Sequence, residues 1–257
     1  MSEMETPARK RDRPRAIKWE TELLEIIEES PDVKTFRFER PEGWTFKPGQ
    51  FVMVFFPEIF GKKNRAYSIA SSPNSPYIDL TIKLYGVFTH HMWTLKEGSS
   101  WTLRGPYGHF TMDMERKNDI ILVGAGVGIT PLMSMLRWAT EEKTDRRFLL
   151  IYSNKTPRDI VFNEEIQMIQ KANPNVKVVH TLTRLYNVPE SVKNAWPGLS
   201  GRISAEMIRE QVKEWQEDGA ERATVFGCGP AAMLTSMEEV MLELGWPKEE
   251  IHYEKFW

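Results

Sequence analysis

The sequence predicts two domains, an antiparallel β-barrel over residues 17–115 followed by an α/β domain with a parallel sheet over residues 116–257, with a flexible tail at 1–16. Three observations predict this. The chain has 257 residues, enough for two ordinary hydrophobic cores. Up to about Phe110 its apolar segments are short, β-branched and aromatic. Beyond "MERKND" (114–119) the rhythm changes to strand, helix, strand, helix.

In the first part, "VKTFRFER" (33–40), "FVMVFF" (51–56), "RAYSIAS" (65–71), "IDLTIKLY" (78–85) and "SSWTLRG" (99–105) read as strands. The turn clusters "PEGW", "KPGQ", "SPNSP" and "EGSS" separate them. About six short strands at that spacing suggest an antiparallel barrel. In the second part "DIILVGAG" precedes the helical pattern "PLMSMLRWATEE", and "FLLIYSN" precedes "DIVFNEEIQMIQKA". "VKVVHTLTR" then precedes "SAEMIREQVKEW", and "ATVFGCG" precedes "AAMLTSMEEVMLELG". Continuous apolar strands between amphipathic helices imply a parallel sheet covered on both faces.

Composition narrows the function. With 41% hydrophobic and 27% charged residues and a net charge of −2, nothing points to nucleic acid or an acidic membrane as the main partner. The single cysteine, Cys228, excludes an internal disulfide framework and the four thiolates of an iron–sulfur cluster within this chain. Any cluster is therefore expected on another protein. The longest apolar run is far short of the roughly 20 residues of a membrane span, and the start lacks the apolar core of a signal peptide, so a cytoplasmic location is expected. Arg9, Lys10, Arg11, Arg13 and Arg15 make the tail basic, either a solvated extension or a docking arm for an acidic partner. His90 and His91 read as helix-start or surface residues, with no ligand set at metal spacing around them.

The stretch "ILVGAGVGITPLMSML" (121–136) carries chemistry. Gly124, Gly126 and Gly128 bring no side chain that would hold a phosphate off the backbone, and Pro131 suits the first turn of a helix. The free amides and positive end of that helix favour an anion, and Thr130 is a candidate cap or phosphate donor. The spacing is G-x-G-x-G, not the usual G-x-G-x-x-G, and the next strand ends "YSNKTPRD" without the carboxylate that selects NAD.

"RAYSIAS", "GPYGHF" (105–110), this glycine turn and "FGCGP" (226–230), in that order, resemble the ferredoxin–NADP reductase superfamily of FAD-dependent reductases over residues 17–257. The resemblance implies an FAD-binding barrel and an NAD(P)-binding α/β domain. It implies that Arg65 pairs with the FAD diphosphate, Tyr67 stacks on the isoalloxazine, Ser68 hydrogen-bonds near flavin N5, and Ile69 belongs to the same cofactor strand. Thr89 and the amides after Gly86 are implied flavin diphosphate contacts, and Gly105 and Gly108 a turn beside the flavin. Gly124, Gly126, Gly128, Thr130 and Pro131 would hold the nicotinamide pyrophosphate, and Cys228, Gly229 and Pro230 would border the nicotinamide.

"IHYEKFW" (251–257) is similar to the plant-type ending in which a glutamate, one residue and an aromatic cover the flavin. Glu254 then relays protons to Ser68, and Phe256 or Trp257 is the aromatic cover that moves for nicotinamide. Thr183 and Arg184 stand where that family binds the 2′-phosphate, and Lys155 and Arg158 add charge, so NADPH is favoured over NADH. The implied function is hydride transfer from NAD(P)H to FAD, then single electrons to ferredoxin, flavodoxin, an oxygenase component or another redox protein. Three other readings stay open: an FAD-binding electron-transfer subunit of a larger complex with little activity alone, a diaphorase acting on small acceptors, and a nucleotide-binding module without flavin.

Overall fold

A computed structural model describes residues 15–217 and 223–256. Trp257 and residues 1–14, including Arg9, Lys10, Arg11 and Arg13, lie outside the described residues.

The first domain holds β1 (Ile17–Ser30), β2 (Val33–Glu39), β3 (Phe51–Phe55), α1 (Pro57–Phe60), β4 (Asn64–Ser68), β5 (Tyr77–Lys83), α2 (Gly86–Thr94) and β6 (Ser100–Tyr107). Its antiparallel sheet has the order β4-β3-β6-β1-β2-β5. The sheet curls until its edges meet at one bridge, Ile69 to Leu80, so the barrel is seamed at a point and not by a full ladder. Pro73 and Pro76 in the loop that follows have no N–H to extend the pairing. β1, absent from the predicted strands, is 14 residues long because it serves two ladders, pairing β6 from Ile17 to Glu22 and β2 from Leu23 to Ser30. Phe36, Phe38, Val52, Val54, Leu80, Ile82, Trp101 and Leu103 fill the interior.

The second domain runs β7 (Ile120–Ala125), α3 (Ile129–Glu141), β8 (Phe148–Asn154), α4 (Asn163–Ala172), β9 (Val176–Leu182), α5 (Glu190–Ala195), β10 (Leu199–Ser200), α6 (Ala205–Glu217), β11 (Thr224–Gly229), α7 (Ala231–Glu243) and β12 (Ile251–Lys255). The sheet is parallel throughout, in the order β10-β9-β8-β7-β11-β12. Alternation along the strands explains their unbroken apolar runs. Ile120 and Leu122 pack with α3 and α4, whereas Ile121 and Val123 pack with α6 and α7. Strand order reverses at β7, and the crevice beyond the carboxyl ends of β7 and β11 is where such sheets bind ligands. Arg146 pins the link between the domains, donating from Nε to the Asn118 carbonyl at 2.7 Å and from a terminal nitrogen to the Asp113 carbonyl at 2.9 Å.

Candidate functional site

The glycine turn forms because β7 must pass into α3 within three residues while lying against β11. A Cβ on Gly128 would stand 2.3 Å from the Cys228 carbonyl oxygen, so only glycine fits. Gly126 has φ +52° with open space around it, and its carbonyl accepts the Tyr152 hydroxyl at 3.0 Å. Gly124 lies under Leu132 of α3 and lets helix and strand approach. Pro131, in the first turn of α3, gives up no intrahelical bond, and Thr130 donates to the Val127 carbonyl at 3.1 Å. Thr130 is thus a local helix contact whose residue also faces the neighbouring cavity described next.

Two cavities of comparable size meet here. One, of about 560 Å³, lies over the turn and is walled by Gly126, Gly128, Asn154, Thr183, Gly229 and Pro230 from the α/β domain, with Asp32 and Lys83 from the barrel. The other, of about 550 Å³, is walled by Arg65, Tyr67, Ser68, Thr89, Thr130 and Glu254, among others. Val127, Lys83 and Phe256 belong to both walls, so the cavities adjoin. Phe256 is held at the tip of β12 by its N–H to the Gly229 carbonyl, 3.4 Å.

The barrel-side cavity suits a flavin dinucleotide. α2 starts at Gly86 without a side-chain cap, and its first residues, 86–89, line the wall, so orphan amides and the positive helix end are on offer to a diphosphate. Thr89 accepts the Tyr85 N–H at 2.6 Å and donates to the Gly86 carbonyl at 3.1 Å, fixing this turn. The exposed Arg65 guanidinium sits 5.6 Å from the Phe88 ring centroid and adds a cation to the same end. Deeper in, burial raises the pKa of the Tyr67 phenol and keeps it neutral, leaving a half-buried ring along the wall. Because β4 is an edge strand, Arg65, Ala66, Tyr67 and Ser68 all reach the cavity despite their alternation.

On the wall of the barrel-side cavity, Ser68 Oγ lies 3.5 Å from Glu254 Oε2. Burial raises the Glu254 pKa above the ordinary carboxylate range, and the Ser68 hydrogen bond partly opposes the rise. Cys228 pairs in register with Gly124 on one side and Glu254 on the other. It is fully buried, and its side chain stands off the walls of both cavities. Alternation along β11 turns it with Phe226 into the cluster beneath α3. Burial first, and the Glu254 charge second, raise its thiol pKa, so it stays protonated.

Other expected residues stand behind the walls. Ile69 is a core residue whose N–H bonds the Gln50 carbonyl at 2.9 Å. Gly105 and Gly108 lie behind Phe51, their carbonyls taking Trp44 Nε1 at 3.1 Å and Gln50 Nε2 at 3.4 Å. Thr183 lines the nucleotide-side cavity, whereas Arg184 is exposed and off its wall. Sequence reasoning missed Asp32, Lys83 and Arg202. Asp32 and Lys83 become neighbours only through strand pairing, with Val33 opposite Lys83. Among the described residues, no helix is long and apolar enough to cross a membrane, and no three potential metal-ligating side chains converge.

This architecture is that of a flavin- and nicotinamide-nucleotide-binding oxidoreductase. Residues 20–112 match the oxidoreductase FAD-binding domain and residues 122–239 the oxidoreductase NAD-binding domain. The chain is 31% identical to sulfhydrogenase 1 subunit gamma of Pyrococcus furiosus, over 88% of this chain and 74% of that one. It is 30% identical to the glycine betaine monooxygenase reductase subunit of Chromohalobacter salexigens, over 91% of this chain but 62% of that one. A ferredoxin–NADP⁺ reductase from Neisseria gonorrhoeae, solved with FAD and NADP, shares the fold at a TM-score of 0.77 with 22% identity, covering 93% and 98% of the two chains. The chain belongs to the ferredoxin–NADP reductase superfamily, the family of FAD-dependent NAD(P)H oxidoreductases.

Proposed function

We propose that the chain takes hydride from a nicotinamide nucleotide, NADPH in preference to NADH, onto FAD and passes single electrons to a separate redox protein. The observation that carries this is the contiguity of the two cavities across Phe256, with Ser68 and Glu254 paired on the wall of the barrel-side one. Bound FAD supplies the conversion between a two-electron hydride and single electrons. The protein's own work is positional. Tyr67 provides the stacking face, Arg65 and the start of α2 hold the diphosphate, and Ser68 with Glu254 passes a proton at the reacting edge. The glycine turn with Gly229 and Pro230 seats the nucleotide pyrophosphate, and Cys228 supports that seat from beneath.

The preference for NADPH rests on charge. Lys83, Lys155 and Arg202 line the nucleotide cavity against Asp32 and Asp159, of which Asp159 is engaged by the Thr156 hydroxyl at 2.5 Å. Thr183, on the wall, and Arg184, exposed and next to it in sequence, remain part of the proposed 2′-phosphate site. For the acceptor we favour a ferredoxin, a flavodoxin or an oxygenase component, met at the exposed Lys62, Lys63 and Arg65 beside the flavin cavity. Similarity to a sulfhydrogenase subunit favours a second reading, an FAD-binding electron-transfer subunit with little turnover by itself.

The test is anaerobic titration of the purified yellow protein with NADPH and, separately, NADH, followed by addition of a reduced-state acceptor assay with a [2Fe–2S] ferredoxin. Bleaching at lower NADPH than NADH, then reoxidation by ferredoxin, is expected. Equal response to both nucleotides removes the preference; a protein that neither holds FAD nor bleaches overturns the reading.

A further inference from the structure

Nine residues past Gly128, the last glycine of the turn, α3 carries a largely buried arginine at the seam between the domains. Arg137 keeps only 15% of its side chain exposed. Its Nε and one terminal nitrogen donate to both oxygens of Glu165 on α4, at 2.7 and 2.6 Å. Its other terminal nitrogen donates across the seam to the carbonyl of Ala70 at 2.9 Å and lies 3.6 Å from Asp79 of β5. The guanidinium also stands 4.8 Å from the Phe162 ring centroid. Asp79 is itself held by a two-point contact from Arg37 of β2, at 2.8 and 3.1 Å. Glu29 of β1 adds a third carboxylate near the guanidinium and takes the Thr35 hydroxyl at 2.6 Å. One helical turn earlier, Ser134 donates to the Ser71 carbonyl at 2.7 Å.

These contacts tie the two reacting sides together. Ala70 is two residues beyond Ser68, the last residue of the strand that walls the proposed flavin cavity, and α3 springs from the turn proposed to seat the nucleotide. Interfaces between domains of one chain permit relative motion unless something fixes them. Hydride transfer requires reacting atoms held at about 3–3.5 Å, and a 1 Å misplacement costs on the order of 10²-fold.

We propose that Arg137 is a positioning residue for hydride transfer: its bridge from Glu165 to Ala70 and Asp79 sets the spacing between the Ser68 strand and the glycine turn. The proposal rests on the assignment of the two cavities to flavin and nucleotide. Without the guanidinium, Glu165 loses both of its arginine contacts, the Ala70 carbonyl loses its donor from α3, Asp79 is left with Arg37 alone, and the seam loosens. The nucleotide's pyrophosphate seat lies within the α/β domain and stays whole, so affinity is retained while approach is lost.

The experiment compares the FAD-loaded unaltered protein with Arg137→Met, which keeps the length of the stem, and Arg137→Lys, which offers one charged contact at a time. Stopped-flow flavin reduction over a range of NADPH and NADH gives the limiting rate and the nucleotide Kd separately. Amide hydrogen exchange reads the seam independently of turnover. For Arg137→Met we expect a limiting rate lower by about ten- to a hundredfold. Its Kd should stay within about threefold and its FAD content unchanged, with faster exchange confined to residues 70–75 and 162–166; Arg137→Lys should recover part of both effects. A limiting rate within twofold of the unaltered protein overturns the proposal, as does unchanged exchange at the seam. If Arg137→Met loses FAD or fails to fold, Arg137→Lys decides: a lowered rate at unchanged Kd and FAD content supports positioning, and a normal rate overturns it. Failure of the unaltered protein to be reduced by either nucleotide overturns the cavity assignment, and this proposal with it.

Discussion

Ser68 Oγ and Glu254 Oε2 lie 3.5 Å apart although 186 positions separate them, and they join the first domain to the last strand of the second. Burial raises the Glu254 pKa, and the Ser68 hydrogen bond partly opposes the rise. In the proposed role Glu254 would accept, through Ser68, the proton that bound flavin would release on full reoxidation, for which the ionised carboxylate is the useful form. Glu254→Gln should keep FAD and reduction by nucleotide while slowing delivery to a one-electron acceptor by roughly 10²-fold. In the unaltered protein, delivery should rise with pH as Glu254 ionises; in the variant that rise should vanish. Parallel pH profiles would remove the proton role.

The same raised pKa makes a stability prediction with a definite sign. The native carboxyl holds its proton at pH values where the unfolded one has already lost it, so stability falls as pH climbs from the ordinary carboxylate range through the raised value. Glu254→Gln should flatten that fall and melt higher than the unaltered protein at neutral pH. Melting curves from pH 4 to pH 8 check it, and an unchanged pH dependence contradicts it.

Phe256 lines both cavities, so under the proposed assignment a nicotinamide ring would have to displace it to reach the flavin edge. Displacing it costs part of the nucleotide's binding energy. Phe256→Ala should therefore tighten binding of the oxidised nucleotide, by about tenfold if displacement costs about 1.4 kcal/mol. Difference spectra of the bound flavin measure this. Affinity that stays the same or weakens would mean that Phe256 is only an anchor for β12.

The two inner glycines should respond differently to the same change. Gly128→Ala forces a methyl to 2.3 Å from a backbone oxygen that cannot rotate away, an overpacking cost of about 1–3 kcal/mol. Gly126→Ala meets no atom within 4 Å and bears only its positive φ, about 1 kcal/mol, while adding a methyl where phosphate is expected. Gly128→Ala should melt clearly lower, and Gly126→Ala should lose nucleotide affinity with a smaller fall in melting temperature, about 2–4 °C. Equal melting temperatures would contradict the packing argument.

The contrast also shows what the sequence could convey. The parallel sheet was legible because strands such as "FLLIYSN" are apolar without a break, and the turn because three glycines follow one of them. β1 was hidden, since Glu20, Glu22, Glu25, Glu28 and Glu29 mask a strand that changes partners at its middle. The family resemblance paired Glu254 with Ser68 as a proton relay, but the residues alone do not convey it, because their approach depends on how two domains dock, which no local pattern encodes. Cys228 lay on a readable strand, yet its depth is set by α3 packing above it.

Coenzyme selection turns on which cation faces the cavity. Sequence position favours Arg184, but that side chain is exposed and off the wall, while Lys155 and Arg202 are on it. Lys155 is 44% exposed and only 4.0 Å from Asp32, a carboxylate already bound by Lys83, so its charge is weakly shared and available to a phosphate. A charge-assisted hydrogen bond to phosphate contributes about 1.5–3 kcal/mol, and NADH has no 2′-phosphate to receive it. Lys155→Ala and Arg202→Ala should each raise KM for NADPH by about tenfold or more with little effect on NADH, and Arg184→Ala should do less than either. Steady-state assays with both coenzymes separate the cases: equal losses on NADPH and NADH would assign these residues to the shared part of the nucleotide, and a dominant effect of Arg184→Ala would mean that its side chain swings inward when NADPH binds.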